Sequence, residues 1–350
     1  MKKIILVTIQ LAVTICALFW VFHKPETRAG LLQAVHEASV PWLLLALAAG
    51  IASPLTASVR WWLLLRVADP AARLGRVLQL VMVGMLFNLM LPGSTGGDAV
   101  KFFYTLRGSE PERRARIILS VVMDRLLGLL ALIILAAVFL ASRYGWLTRA
   151  PETASIVQGF AVLLFLAGGG IAFVFVAVQL RLVERLPAKL PGRTKFIELA
   201  SAIQAYTRAW PTTLACLGIS FVGHTALIAS FYFVCNALRA GVSFLDMVAI
   251  MPIVNTFAAM PISMSGAGVR ETLIITLMGK LCGVASGLAV SVSIIGFLCT
   301  VVFNGLLGGV FYLFFRSSAG PVPARVDEVE AREEEAALPE MIKEAKRPTA

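Results

Sequence analysis

Three stretches of this chain, Trp42 to Val59, Thr153 to Leu180 and Leu281 to Phe315, are apolar and contain no Asp, Glu, Lys or Arg. An α-helix rises about 1.5 Å per residue, so roughly 18 to 25 such residues cross the ~30 Å hydrocarbon core of a bilayer. Inside lipid every peptide group must be satisfied within its own segment or in a closed barrel, and uninterrupted runs of this length select helices. With 59% hydrophobic and 15% charged residues and a mean hydropathy of +0.85, the chain reads as an all-α polytopic membrane protein.

The charges are distributed unevenly. Eight of the twenty Asp and Glu residues lie between Asp327 and Glu344, so the rest of the chain is more basic than the net +11 implies. The basic residues fall in short loops between apolar runs and form no single binding face, which argues against nucleic acid and for topology signals or an anionic lipid surface. Cys16, Cys216, Cys235, Cys282 and Cys299 sit inside apolar runs without metal-ligand spacing and read as small core or lipid-facing residues. Neither a metal nor another cofactor is expected. Ile4 to Phe22 is longer than a usual signal-peptide core and reads as a retained first helix.

Lys2 and Lys3 put the N-terminus in the cytoplasm. A second span near Trp42 to Leu65 returns to a basic loop that takes in Arg60, Arg66, Arg73 and Arg76. Ile117 to Ala141, Thr153 to Leu180, Trp210 to Leu238 and Ser286 to Phe315 supply four more spans, with Thr194 to Ala209 as an amphipathic surface helix. About six full transmembrane helices are therefore expected. The membrane domain covers residues 1–316 and a disordered, charged cytoplasmic tail covers 317–350.

Two glycine-rich segments interrupt the remaining apolar sequence. The first runs from Asn88 to Asp98 and contains Pro92, Gly93, Ser94, Gly96 and Gly97; the second runs from Pro261 to Glu271 and contains Ser265, Gly266, Gly268 and Arg270. Val77 to Leu91, fifteen residues, makes about 22 Å of helix, too short to span. Basic loops flank this first break on both sides, which predicts a re-entrant hairpin entered from the cytoplasm. Met247 to Met260 and Gly268 to Met278 predict a second hairpin entered from outside, although Met247 to Val269 is also long enough to span. With hairpins, the units at about 41–141 and 210–315 form an inverted repeat, a plan recurrent among transporters.

Outside the loops and tail three carboxylates remain, Asp98, Asp124 and Glu271, each near a cation: Lys101, Arg125 and Arg270. A charge at the bilayer centre costs at least about 2.5 to 3.5 kcal/mol, so these groups face the interior and pair or line water. Sequence neighbours on a helix point in different directions, so Asp124 is expected to meet Lys101 or Arg270 rather than Arg125. The functional expectation is that Lys101, Arg125 and Arg270, with the amides near Gly96, Gly97, Gly266 and Gly268, hold an anionic head group, assisted by Ser94 and Ser265. Asp98, Asp124 and Glu271 then orient the cations or carry protons. A structural alternative makes Asp98 and Glu271 helix-start residues and Asp124 an ion-pair partner. Asn88 and Asn255, with Pro92, Gly93 and Pro261, read as support for the breaks. His224 reads as a helix–helix hydrogen bond, and Gly168 to Gly170 as close packing or a kink.

Taken together, Asn88-x3-Pro92-Gly93-x2-Gly96-Gly97-Asp98, Asp124-Arg125-x2-Gly128 and Pro261-x4-Gly266-x-Gly268-x-Arg270-Glu271 resemble the lysylphosphatidylglycerol synthase transmembrane region family, also described as flippase-like. The resemblance runs to about Arg316. It implies an integral protein of bacterial or archaeal membranes that moves lipids, aminoacylated phosphatidylglycerol among them. Full-length synthases of that family carry a soluble aminoacyl-transferase domain; only residues 317–350 follow Arg316 here, so lysine transfer is not expected. Asp124 stands where the family usually has Glu.

These readings converge on a transporter or flippase of the bacterial inner membrane, both termini cytoplasmic, moving an anionic phospholipid or lipid-linked head group through a groove between the hairpins. No P-loop indicates use of ATP. The rival readings are an enzyme acting on a lipid head group and a non-transporting partner of a cell-envelope enzyme; no nucleophile–base set or metal cluster favours the enzyme.

Overall fold

The computed structural model describes residues 36–90, 96–106, 111–182, 197, 200, 203–204, 206–260 and 266–319, and every regular element among them is a helix. Five helical stretches are long and apolar enough to cross a membrane: Val40–Val67, Arg116–Leu147, Pro151–Gln179, Trp210–Ala237 and Ser286–Phe314. The expected first span, the loop residues Pro92, Gly93, Ser94, Pro261 and Ser265, most of the surface helix and the tail beyond Ala319 lie outside the described residues.

The elements are α1 (Val40–Ala68), α2 (Leu74–Met90), α3 (Gly96–Leu106), α4 (Pro111–Leu147), α5 (Pro151–Gln179), α6 (Trp210–Ala237), α7 (Phe244–Ala259), α8 (Val269–Cys282), α9 (Ser286–Phe297) and α10 (Phe303–Ala319). A π-helical turn, Leu298–Val302, joins α9 to α10. The 23-residue run Met247 to Val269 does not form one helix, because α7 stops at Ala259.

At each break the chain reverses. Gly97 lies thirteen residues after Gly84, a separation of about 20 Å in a straight helix. Yet a Cβ on Gly84 would stand 3.1 Å from the Gly97 Cα. Likewise a Cβ on Gly266 would stand 2.7 Å from Ala258, and Gly266 has φ +75°, a conformation glycine adopts without strain. So α2 packs on α3, and α7 packs on α8.

The two hairpins sit at opposite ends of α4. Near its start, Ile117 and Val121 share a buried cluster with Val77 and Tyr104 of the first hairpin. Near its end, Leu147 is buried with Leu281, Arg143 pairs with Asp246 and the Arg149 guanidinium donates to the Leu281 carbonyl. Ile117 and Leu147 are thirty residues apart, about 45 Å along a helix.

The neighbours obey an exchange. α1 packs on α6; α2 packs on α10 while α7 packs on α4; α1 touches α2 and α4 as α6 touches α7 and α9; α3 meets α4 as α8 meets α9. Exchanging α1 to α4 for α6 to α10, with α9 and α10 together standing for α4, leaves this pattern unchanged. α5 stands outside it and turns Phe165, 78% exposed, and Phe173, 70% exposed, outward, an apolar surface suited to lipid.

Small residues set the crossings. A Cβ on Gly223 of α6 would stand 2.7 Å from the Thr56 hydroxyl of α1, and one on Gly308 of α10 would stand 2.2 Å from the Met82 carbonyl of α2. Such close approach gives packing and short polar contacts where lipid offers no hydrophobic drive for helix association. Pro54 inside α1 cannot donate to the carbonyl four residues back. That carbonyl, Gly50 O, instead accepts from the Asn304 amide at 3.0 Å.

Candidate functional site

The first break is closed by a side chain. Asn88 Oδ1 accepts from the Gly97 amide at 2.7 Å, and a Cβ on Gly97 would stand 2.8 Å from the Asn88 amide nitrogen, so only glycine fits there. α3 begins at Gly96 and carries Asp98 in its first turn, where the helix dipole favours a negative charge.

From Asp98 a chain of charges links α3, α4 and α1 and reaches α6 through a serine. Arg125 of α4 grips Asp98 with two parallel bonds, Nε to Oδ2 at 2.8 Å and Nη2 to Oδ1 at 2.7 Å, the bidentate geometry that suits arginine. Lys101, one turn along α3, stands 3.7 Å from Asp98 and 3.6 Å from Asp124, beyond hydrogen-bond length, with its ammonium 4.9 Å from the centre of the Trp61 ring. Asp124 accepts from Arg60 Nε at 2.7 Å. Arg60 of α1 then reaches α6, donating from Nη1 to Ser220 Oγ at 3.0 Å. Its guanidinium fits because position 128 is glycine, where a Cβ would stand 3.1 Å from Nη1. Next to it, His224 Nε2 bonds the Gly128 carbonyl at 2.9 Å; a carbonyl only accepts, so that nitrogen carries the proton.

Burial falls off along this chain. Asp124 is 2% exposed, whereas the Arg125 side chain is 53% exposed. Among the described residues the ionised groups acting on Lys101 are Asp98, Asp124, Arg60 and Arg125.

The second break is self-contained. Gly268 has φ +84°, and Glu271, third residue of α8, reaches back to accept from the Gly268 amide, the reciprocal half of a capping box. The other oxygen accepts from Arg270 Nη2 at 2.7 Å and from Ser293 Oγ at 2.9 Å. The Arg270 guanidinium lies 4.2 Å from the centre of the Phe297 ring, and its side chain is 8% exposed.

Several sequence expectations need correction. Arg60, assigned to a basic loop, lies inside α1 and pairs with Asp124; charge-free Trp42 to Val59 before it and Trp61 to Leu65 after it were the signal that it sits within an apolar run. Asp124 meets Arg60 and Lys101, not Arg270. Among the described residues the partners of Arg270 are Glu271, Ser293 and Phe297, so Arg270 does not join Lys101 and Arg125 in one cluster. The rule that sequence neighbours diverge fails at Arg270 and Glu271, because they occupy the first turn of α8, where long side chains fold back over the helix start. The amides of Gly97 and Gly268 are taken by Asn88 and Glu271 and are not open anion donors. Gly266 serves the chain reversal, and Asn255 is half-buried in α7.

An apolar cavity of about 460 Å³ is walled by Met123, Leu126 and Leu127 of α4, Gly170 of α5 and Tyr206 and Leu217. Among the described residues nothing approaches within 4 Å of a Cβ placed on Gly169 or Gly170, while one on Gly168 would meet Ile133 at 3.6 Å, so of the run expected to give close packing or a kink only Gly168 faces another helix closely; Gly170 lines the cavity. Tyr206, whose hydroxyl donates to Leu64 O at 3.1 Å, has its phenol pushed up by burial.

Comparison with known sequences agrees with this architecture. The family described as the lysylphosphatidylglycerol synthase TM region matches residues 7–308, and the chain belongs to that family. It is also 25% identical over 337 residues to the UPF0104 membrane protein PH1989 of Pyrococcus horikoshii, an alignment covering 89% of this chain and 97% of that protein.

Proposed function

We propose that this member of the lysylphosphatidylglycerol synthase transmembrane-region family is a lipid transporter of the bacterial inner membrane, with cytoplasmic termini, that passes an anionic head group between leaflets. The observation that carries the reading is the first network: three cations, Arg60, Lys101 and Arg125, share two carboxylates among membrane helices, with Arg125 half exposed. An unbalanced cation is costly at that depth unless an anion or water meets it.

Hairpins at opposite ends of α4, and a neighbour pattern unchanged by exchanging the two helix sets, support re-entrant hairpins in an inverted repeat. In such folds one half rocks against the other around a central site. Asp98 and Asp124 orient the cations; Asn88 and Gly97 hold the hairpin that presents them.

Reconstitution into vesicles with fluorescently labelled phosphatidylglycerol, read by quenching of the outer leaflet, tests this. Leaflet exchange that Arg125→Gln abolishes is the expected result. Chemical change of the lipid without exchange would assign an enzyme instead, and neither activity would favour a partner of a cell-envelope enzyme.

A further inference from the structure

We infer that the first network selects lipid head groups bearing one negative charge, a phosphodiester, over head groups bearing two. The inference rests on the transport reading above and adds a charge rule to it. Arg60, Lys101 and Arg125 bring three positive charges against two negative ones from Asp98 and Asp124. Among the described residues, the charged groups acting on Asp124 are Lys101, Arg60 and Arg125, and those acting on Arg125 are Asp98 and Asp124. The network therefore carries a formal excess of one.

The donors for an anion are present. Arg125 spends Nε and Nη2 on Asp98, and a guanidinium has five N–H groups, so its outer edge remains. Lys101 sits beyond hydrogen-bond length from both of its carboxylates, so its ammonium N–H groups are not spent on either of them. A phosphodiester spreads one charge over two oxygens and completes the balance. A phosphomonoester in its dianionic form leaves one negative charge without a partner, which low-dielectric surroundings penalise. The second break shows no such excess, since among the described residues the one charge acting on Glu271 is that of Arg270.

The test measures exchange of labelled phosphatidylglycerol (one charge), phosphatidic acid and phosphatidylcholine (no net charge) in proteoliposomes at pH 8. The second ionisation of a phosphomonoester lies near pH 6, so phosphatidic acid is then largely dianionic. The wild-type protein is expected to favour phosphatidylglycerol over phosphatidic acid by about tenfold. Asp98→Asn and Asp124→Asn, which raise the excess to two, should each reverse that order. Arg125→Gln, whose side chain is half exposed, lowers the excess to zero and should bring phosphatidylglycerol exchange down to the background level seen with phosphatidylcholine. Equal exchange of the two anionic lipids by wild type and every variant overturns the charge rule while leaving anionic lipid transport standing. Exchange of phosphatidylcholine as fast as phosphatidylglycerol by the wild type, or no exchange of any lipid, overturns the transport reading and the rule with it.

Discussion

At the second break Arg270 and Glu271 meet side by side and saturate one another, while at the first break three cations share two carboxylates and Arg125 keeps half its side chain exposed. Both breaks solve the same problem, starting a helix among other helices without stranding its amides. They recruit different acceptors. Glu271 caps Gly268 with a charge, which then needs Arg270 beside it; Asn88 caps Gly97 with a neutral amide, which leaves Asp98 available to Arg125 and Lys101. A neutral cap at one hairpin thus releases a carboxylate for a network that the other hairpin cannot assemble.

The contrast can be broken most forcefully at Glu271. Glu271→Ala strips Arg270 of its charge partner and Gly268 of its cap, and should cost about 3 to 5 kcal/mol, the range for breaking a buried pair, read as a large drop in the thermal midpoint of the detergent-solubilised protein. A small drop would mean that the second pair is as replaceable as an exposed one.

The seating of the two hairpins differs as well. Gly308 lets α10 touch the α2 backbone, whereas α7 is tied to α4 by Arg143 and Asp246. Gly308→Leu should cost about 1 to 3 kcal/mol by overpacking. Asp246→Asn, at a half-buried pair, should cost about 1 kcal/mol or less. Equal midpoints for the two variants would remove this distinction.

Between these lies Asn304→Ala, which leaves the Gly50 carbonyl below Pro54 unsatisfied and is expected to cost about 1 to 3 kcal/mol. Restoring the carbonyl's usual partner with Pro54→Ala should recover most of that loss, a double-variant comparison that isolates the proline as the cause.

The smallest stability effect is expected at Arg125. Arg125→Gln removes a half-exposed pair worth about 1 kcal/mol or less, yet should abolish lipid exchange. A midpoint shift as large as that of Glu271→Ala would make Arg125 a structural residue and erase the difference between the hairpins.

Much of this was legible along the chain. The charge-free runs marked the long helices, and the glycines at 84, 97 and 266 stand where the chain folds back, although nothing local marks Gly84, whose role is to admit a residue thirteen positions later. Asp98, Asp124 and Lys101 could be named as interior because a charge among apolar residues is costly wherever it sits. Arg60 was missed, since its proximity to Arg66 made it look like the edge of a loop, and Ser220 and Ser293 carried no signal at all.

The sequence by itself determined what is local: helix length, the points where helices stop, and which charged residues must find company inside. Those follow from residue hydration and backbone geometry, which act over a few positions. Partner choice was decided by the tertiary structure. Arg60 reaches Asp124 because Gly128 leaves room for its guanidinium and α1, α4 and α6 pack together. Arg270 stays with Glu271 because α8 packs on α9, whose Ser293 and Phe297 meet the pair. Coulomb attraction falls with distance and is blind to sequence order, so only the packing of the helices could set three cations against two carboxylates at one break and one against one at the other.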